Sequence, residues 1–110
     1  MPDKTVFSAS DGTSALHVTK DGQIFISNPL QTTPVKLEID GLKKAIQIAF
    51  ADVYYILDSK NRVFTYYRGH VEQYKQTSEL KVRAIGGYGS TLYIAARDGL
   101  YTGSYDGQLK

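Results

Sequence analysis

One phrase, an alternating apolar run followed by a turn and a returning strand, recurs three times and limits how this chain can fold. Leu16-His17-Val18-Thr19-Lys20-Asp21-Gly22-Gln23-Ile24-Phe25 is followed by Tyr55-Ile56-Leu57-Asp58-Ser59-Lys60-Asn61-Arg62-Val63-Phe64, and then by Leu92-Tyr93-Ile94-Ala95-Ala96-Arg97-Asp98-Gly99-Leu100-Tyr101. The closing aromatics Phe25, Phe64 and Tyr101 stand 39 and 37 residues apart, the period of a propeller blade or a related β-array. Such units bury their apolar faces on neighbouring units, which places function on an assembled surface rather than in a local pocket.

Each repeat divides into short strands separated by turn residues. In the first, strands are expected at Thr5–Ser10, Ala15–Thr19, Gln23–Ser27 and Val35–Ile39. Lys20-Asp21-Gly22 makes a hairpin turn, because glycine accepts a positive φ at little cost. Pro29 and Pro34 bound a loop, and the following strand is expected on an edge, where a missing N–H is tolerated. The second repeat supplies Ala45–Phe50, Val53–Asp58, Arg62–Tyr67 and Val71–Lys75, and the third Val82–Gly86, Thr91–Ala95 and Gly99–Thr102. The count is eleven strands in a four-four-three pattern, with the last unit incomplete. Ala9 to Leu16, Ile48 to Tyr55 and Ile85 to Leu92 are all seven-residue separations, read as a constant spacing between first and second strands. The expected organisation is a single domain over 1–110, with repeats at about 5–39, 45–75 and 82–103.

One segment has two readings. Leu42, Ala45, Ile46, Ala49 and Val53 have the spacing of an amphipathic helix, while Ile46, Ile48 and Phe50 fit a strand equally well. The matching segment Val82-Arg83-Ala84-Ile85-Gly86-Gly87 contains two glycines and is a poor helix, so repetition favours the strand.

Ala45-Ile46-Gln47-Ile48-Ala49, Tyr54-Tyr55-Ile56-Leu57 and Asn61-Arg62-Val63-Phe64-Thr65-Tyr66 together resemble a regulator-of-chromosome-condensation repeat. Val82 to Gly87 with Leu92 to Gly103 is similar, including Asp98-Gly99-Leu100-Tyr101. The second unit departs from the pattern: Phe50 or Ala51 stands where the family has a glycine, and Tyr66-Tyr67 replaces an aromatic-glycine pair. The resemblance covers nearly the whole chain and implies β-propeller blades and a binding role without naming a client. WD-repeat and tectonin or fucose-lectin blades fit less well, since the chain has no tryptophan.

The fold expected is therefore all-β, three antiparallel propeller-like blades with the last one incomplete, closing a ring by oligomerisation. The alternative is a compact small β-barrel or sandwich. Three blades leave open edges, and propellers close with four to eight. Two copies would make a six-bladed ring by a two-fold operation, with Thr5–Ser10 of one copy supplying the last strand of the other. A fragment, or half of a ring completed by a different protein, is the other route.

Composition removes several classes. The chain has 110 residues, a formal charge of +2 and no cysteine, which excludes a disulfide framework, a thiolate metal site and a cysteine nucleophile. The longest apolar runs are too short for a bilayer span. Met1-Pro2-Asp3-Lys4 lacks the start of a secretory signal, so a cytoplasmic, intracellular setting is expected, without membrane partners. The basic residues are dispersed among acids, so nucleic acid is not an expected partner.

Catalysis has little support. His17 and His70 are the only histidines, one expected in a strand and the other in a turn after Gly69. They make no triad and no metal pair, and no cofactor is expected. Asp11, Asp21, Asp40, Asp58 and Asp98 fall at strand ends, where the carboxylate caps backbone N–H groups. Gly86-Gly87-Tyr88-Gly89-Ser90 lacks the lysine ending of a phosphate loop and reads as a tight turn.

The expected partner-binding residues lie on repeated loops. Lys20, Lys60, Arg62 and Arg97 belong to the turns between second and third strands, and Lys43, Lys44 and Lys81 to the segments between blades. Together they put positive charge on one face, suited to an acidic protein surface. Tyr66 and Tyr88 near strand ends suit an interface. The resulting expectation is a non-catalytic, propeller-type protein-binding module that self-associates or completes a partner's ring. The alternative is an oligomeric carbohydrate-binding lectin.

Overall fold

A computed structural model describes residues 5–10, 14–28, 33–39, 42, 44–67, 70–74 and 81–103. Eleven strands follow one another: β1 (Thr5–Ser10), β2 (Ala15–Thr19), β3 (Ile24–Ser27), β4 (Val35–Leu37), β5 (Ala45–Ala51), β6 (Val53–Asp58), β7 (Val63–Tyr67), β8 (His70–Gln73), β9 (Val82–Tyr88), β10 (Thr91–Ala96) and β11 (Gly99–Gly103). They form three antiparallel meanders, β1-β2-β3-β4, β5-β6-β7-β8 and β9-β10-β11. The described residues form no closed barrel. The 45–51 segment is a strand, as the repeat requires, because its alternate residues must reach two different neighbouring sheets.

The register shows which residues are equivalent between sheets. Ser8, His17 and Phe25 form one cross-strand row in the first sheet. Ile48, Ile56 and Phe64 form the matching row in the second, and Ile85, Ile94 and Tyr101 in the third. The adjoining row, which points the opposite way because strand side chains alternate, is Ala9–Leu16–Ile26, then Ala49–Tyr55–Thr65, then Gly86–Tyr93–Thr102.

This corrects the constant seven-residue spacing. Ala9 faces Leu16, but Ile48 faces Ile56 and Ile85 faces Ile94. The β5–β6 connection turns on Asp52 alone, whose φ is 68°, whereas β9–β10 uses Gly89 and Ser90. Turn length, not strand length, absorbs the difference.

The rows build two cores. Leu16, Val18 and Ile24 of the first sheet pack with Ile48, Ile56 and Phe64 of the second. Tyr55, Leu57 and Val63 of the second pack with Ile85, Leu92 and Ile94 of the third. The second sheet is thus a middle layer, and all six residues of β6 are buried. Burying one such side chain contributes about 1.5–3 kcal/mol, so packing between neighbouring sheets stabilises each of them. Close approach also has a steric condition: at Gly87 any Cβ would run into the backbone carbonyl of Phe50 on β5.

Three smaller expectations change. His70 opens β8 instead of occupying a turn. Gly86, Gly87 and Tyr88 belong to β9, and only Gly89-Ser90 turns. Thr5–Ser10 is the first strand of its own sheet, paired along β2, so it is already committed there and is not a spare strand for β11. Lys75, the expected end of the eighth strand, lies outside the described residues, as do Asp11, Asp40, Gly69 and Pro29. No helix among the described residues is long and apolar enough to cross a membrane.

Candidate functional site

The first two turns between second and third strands share one construction. In the first, the Gly22 amide donates to the Thr19 carbonyl at 2.9 Å and the Gln23 amide to the Thr19 hydroxyl at 3.2 Å. In the second, the Asn61 amide donates to the Asp58 carbonyl at 3.1 Å and the Arg62 amide to Asp58 Oδ1 at 2.9 Å. Both turns need a left-handed residue, Gly22 at φ 82° and Asn61 at φ 65°. Glycine and asparagine are the residues that enter this region most easily.

Each turn then reaches the start of the next sheet. The Gly22 carbonyl accepts from the Ala45 amide at 3.0 Å, and the Asn61 side-chain amide donates to the Val82 carbonyl at 2.9 Å. Ala45 and Val82 open β5 and β9. Within the sheets, the Ser59 amide donates to the Lys44 carbonyl at 2.7 Å and the Arg97 amide to the Lys81 carbonyl at 3.0 Å. These bonds string turn, strand start, turn, strand start and turn along one continuous rim.

Lys20, Lys44, Lys60, Lys81 and Arg97 all lie exposed on this rim, interleaved there with Asp21 and Asp98. The Lys44 stem runs along Gly22. Lys43 lies outside the described residues. Arg62 is placed differently. Its Nη2 and Nε donate to Asp58 Oδ2 at 2.8 and 3.0 Å, and its guanidinium lies 5.4 Å from the Phe64 ring centroid. Its charge is spent on holding the turn.

The two tyrosines lie toward the opposite rim. Tyr66 is half-buried against Tyr54, with ring centroids 6.3 Å apart. Tyr88 ends β9 and is exposed. His17 Nδ1 and Nε2 each lie 2.8 Å from a serine hydroxyl, Ser8 and Ser27. Burial pushes the His17 pKa below its ordinary value. His70 is exposed on β8, 3.8 Å from Glu72.

The sequence reading missed one surface. Tyr93 and Leu100 occupy the places that Tyr55 and Val63 hold in the second sheet, yet they are 47% and 82% exposed while Tyr55 and Val63 are both 0% exposed. They line a depression of about 400 Å³ with Gly86, Ala95 and Thr102. The signal was present in the repeat, but aligning the three phrases on their closing aromatics put Tyr93 opposite Ile56 and hid it.

Stacked antiparallel meanders of four, four and three strands, joined turn-to-strand, resemble propeller blades, and solved structures bear this out. The crystal structure of human WBSCR16, an RCC1-like protein, superposes with a TM-score of 0.73 at 17% identity, over 91% of this chain and 34% of that one. The crystal structure of the nidogen/laminin complex, which contains a β-propeller, superposes at 0.72 and 17% identity, over 96% and 46%. The blades are propeller-like. This chain therefore spans about a third and somewhat under half of those two chains. No family model and no curated protein matches the sequence.

Proposed function

We propose that the chain is a non-catalytic β-propeller-type module that binds an acidic protein surface through its basic turn rim. It takes its place in a closed ring by self-association or by completing a partner's ring. The observation that carries this reading is the rim: hydrogen bonds tie successive turns to strand starts, so Lys20, Lys44, Lys60, Lys81 and Arg97 are held along one edge. Cations fixed along an edge raise the local concentration of an acidic partner and steer its approach. An intracellular setting fits a chain without cysteine.

The test is fluorescence anisotropy with a labelled glutamate-rich peptide and, separately, a labelled single-stranded oligonucleotide. Peptide binding that weakens at least tenfold in a Lys20→Glu, Lys44→Glu, Lys60→Glu triple variant supports the rim as the site. Absence of peptide binding, binding unchanged by the triple variant, or tighter binding of the oligonucleotide overturns it.

A further inference from the structure

Two faces of the stack have no neighbouring sheet among the described residues. One is the Tyr93–Leu100 face of the third sheet; the other is the Ser8–His17–Phe25 face of the first. The molecule itself shows what covers such faces. Leu16, Val18 and Ile24 are covered by the row Ile48–Ile56–Phe64, and Tyr55, Leu57 and Val63 by the row Ile85–Ile94–Tyr101. In both junctions the occupant is the row equivalent to Ser8–His17–Phe25. The uncovered face and the row that covers its equivalents are therefore both present in one chain, at opposite ends of the stack.

We infer that the Tyr93–Leu100 face docks head to tail on the Ser8–His17–Phe25 face of a second copy of this chain. This deepens the self-association named above and rests on that reading. Side-chain volume supports the pairing. Tyr93 and Leu100 project from one face, while Ser8, Ala15 and Ser27 beside the buried His17 on the other are small. Ser8 and Ala15 stand where the second sheet has the bulkier Ile48 and Tyr54. A head-to-tail contact is heterologous, so one contact leaves a second pair of faces free. Two copies of three sheets make six blades, within the range in which propellers close, and the two-fold ring leaves no face exposed. The Asp98 turn then lies over Thr5 of the second copy, as Gly22 lies over Ala45 and Asn61 over Val82.

Light scattering on the full chain across a dilution series reads the mass. The expected result is twice the 12.2 kDa of one chain. Leu100→Arg and Ser8→Arg, both at exposed positions, are each expected to give a folded monomer with an unchanged far-UV circular dichroism spectrum. Mixing the two variants restores a dimer, because one intact pair of faces remains. A wild-type monomer at every concentration overturns the inference. So does a dimer untouched by Leu100→Arg, or one abolished by Leu100→Arg but not by Ser8→Arg, which would mean the third sheets pack face to face. Mass growing without limit overturns the closed ring. The glutamate-peptide assay on the Leu100→Arg monomer separates the two readings: retained binding leaves the rim standing whatever becomes of the dimer.

Discussion

Asp58 and Arg62 form a closed pair across the second turn, with Arg62 Nη2 donating to Asp58 Oδ2 at 2.8 Å while the other carboxylate oxygen accepts the amides of Lys60 and Arg62 at 3.0 and 2.9 Å. Asp58 is fully buried, and the Arg62 side chain is 31% exposed. The carboxylate thus caps the turn and neutralises the cation that covers it. Truncation to Asp58→Ala leaves two amides and a guanidinium without their acceptor, and should cost about 2–3 kcal/mol, below the ~3–5 kcal/mol of breaking a fully buried pair because Arg62 reaches water. Asp58→Thr should cost less, about 1 kcal/mol, since Thr19 performs the same capping in the first turn with a hydroxyl. Urea unfolding midpoints of the two variants check the order.

Gly87→Ala and Gly86→Ala should behave oppositely although the residues are neighbours. A Cβ at Gly87 meets the Phe50 carbonyl, whereas one at Gly86 meets nothing within 4 Å. Forcing β5 and β9 apart should cost about 2 kcal/mol or more. Gly86→Ala should be neutral or slightly stabilising, because alanine loses less backbone entropy on folding. Thermal melts of the pair at one protein concentration decide it; equal losses would mean the two sheets do not approach this closely in solution.

Acid should weaken the fold through His17. Its folded-state pKa lies below the ordinary histidine value, because burial disfavours the imidazolium. The unfolded chain therefore binds a proton first as pH falls. The stabilisation is complete above the unfolded pKa and is lost between that value and the lowered folded one. Urea midpoints from about pH 8 to 5 should fall on the acid side, and His17→Gln should flatten that part of the profile. An unchanged slope in His17→Gln would assign the acid sensitivity elsewhere.

Much of this architecture was legible because strands and turns are specified locally. Alternating apolar residues, Asp21-Gly22 and the recurring phrase located all eleven strands to within about two residues, and the repeat overruled the helical spacing of Leu42, Ala45 and Ala49. The placement of Lys20, Lys44, Lys60 and Arg97 on one rim also followed, since a meander returns its even-numbered turns to one side.

Other features depended on contacts between segments distant in sequence. Arg62 and Lys60 look alike as loop cations, but only Arg62 is within reach of a buried carboxylate and an aromatic ring. Tyr55 and Tyr93 look alike as strand tyrosines, but one lies inside the stack and the other on its outer face. The chain by itself determined three β-sheets and the order of their strands, because period-2 patterning and turn chemistry act between near neighbours. Register, and with it the face that each row presents, was decided by tertiary structure. A one-residue difference in a turn moves every following side chain to the other side of the sheet, and only packing against the next sheet shows which side is covered.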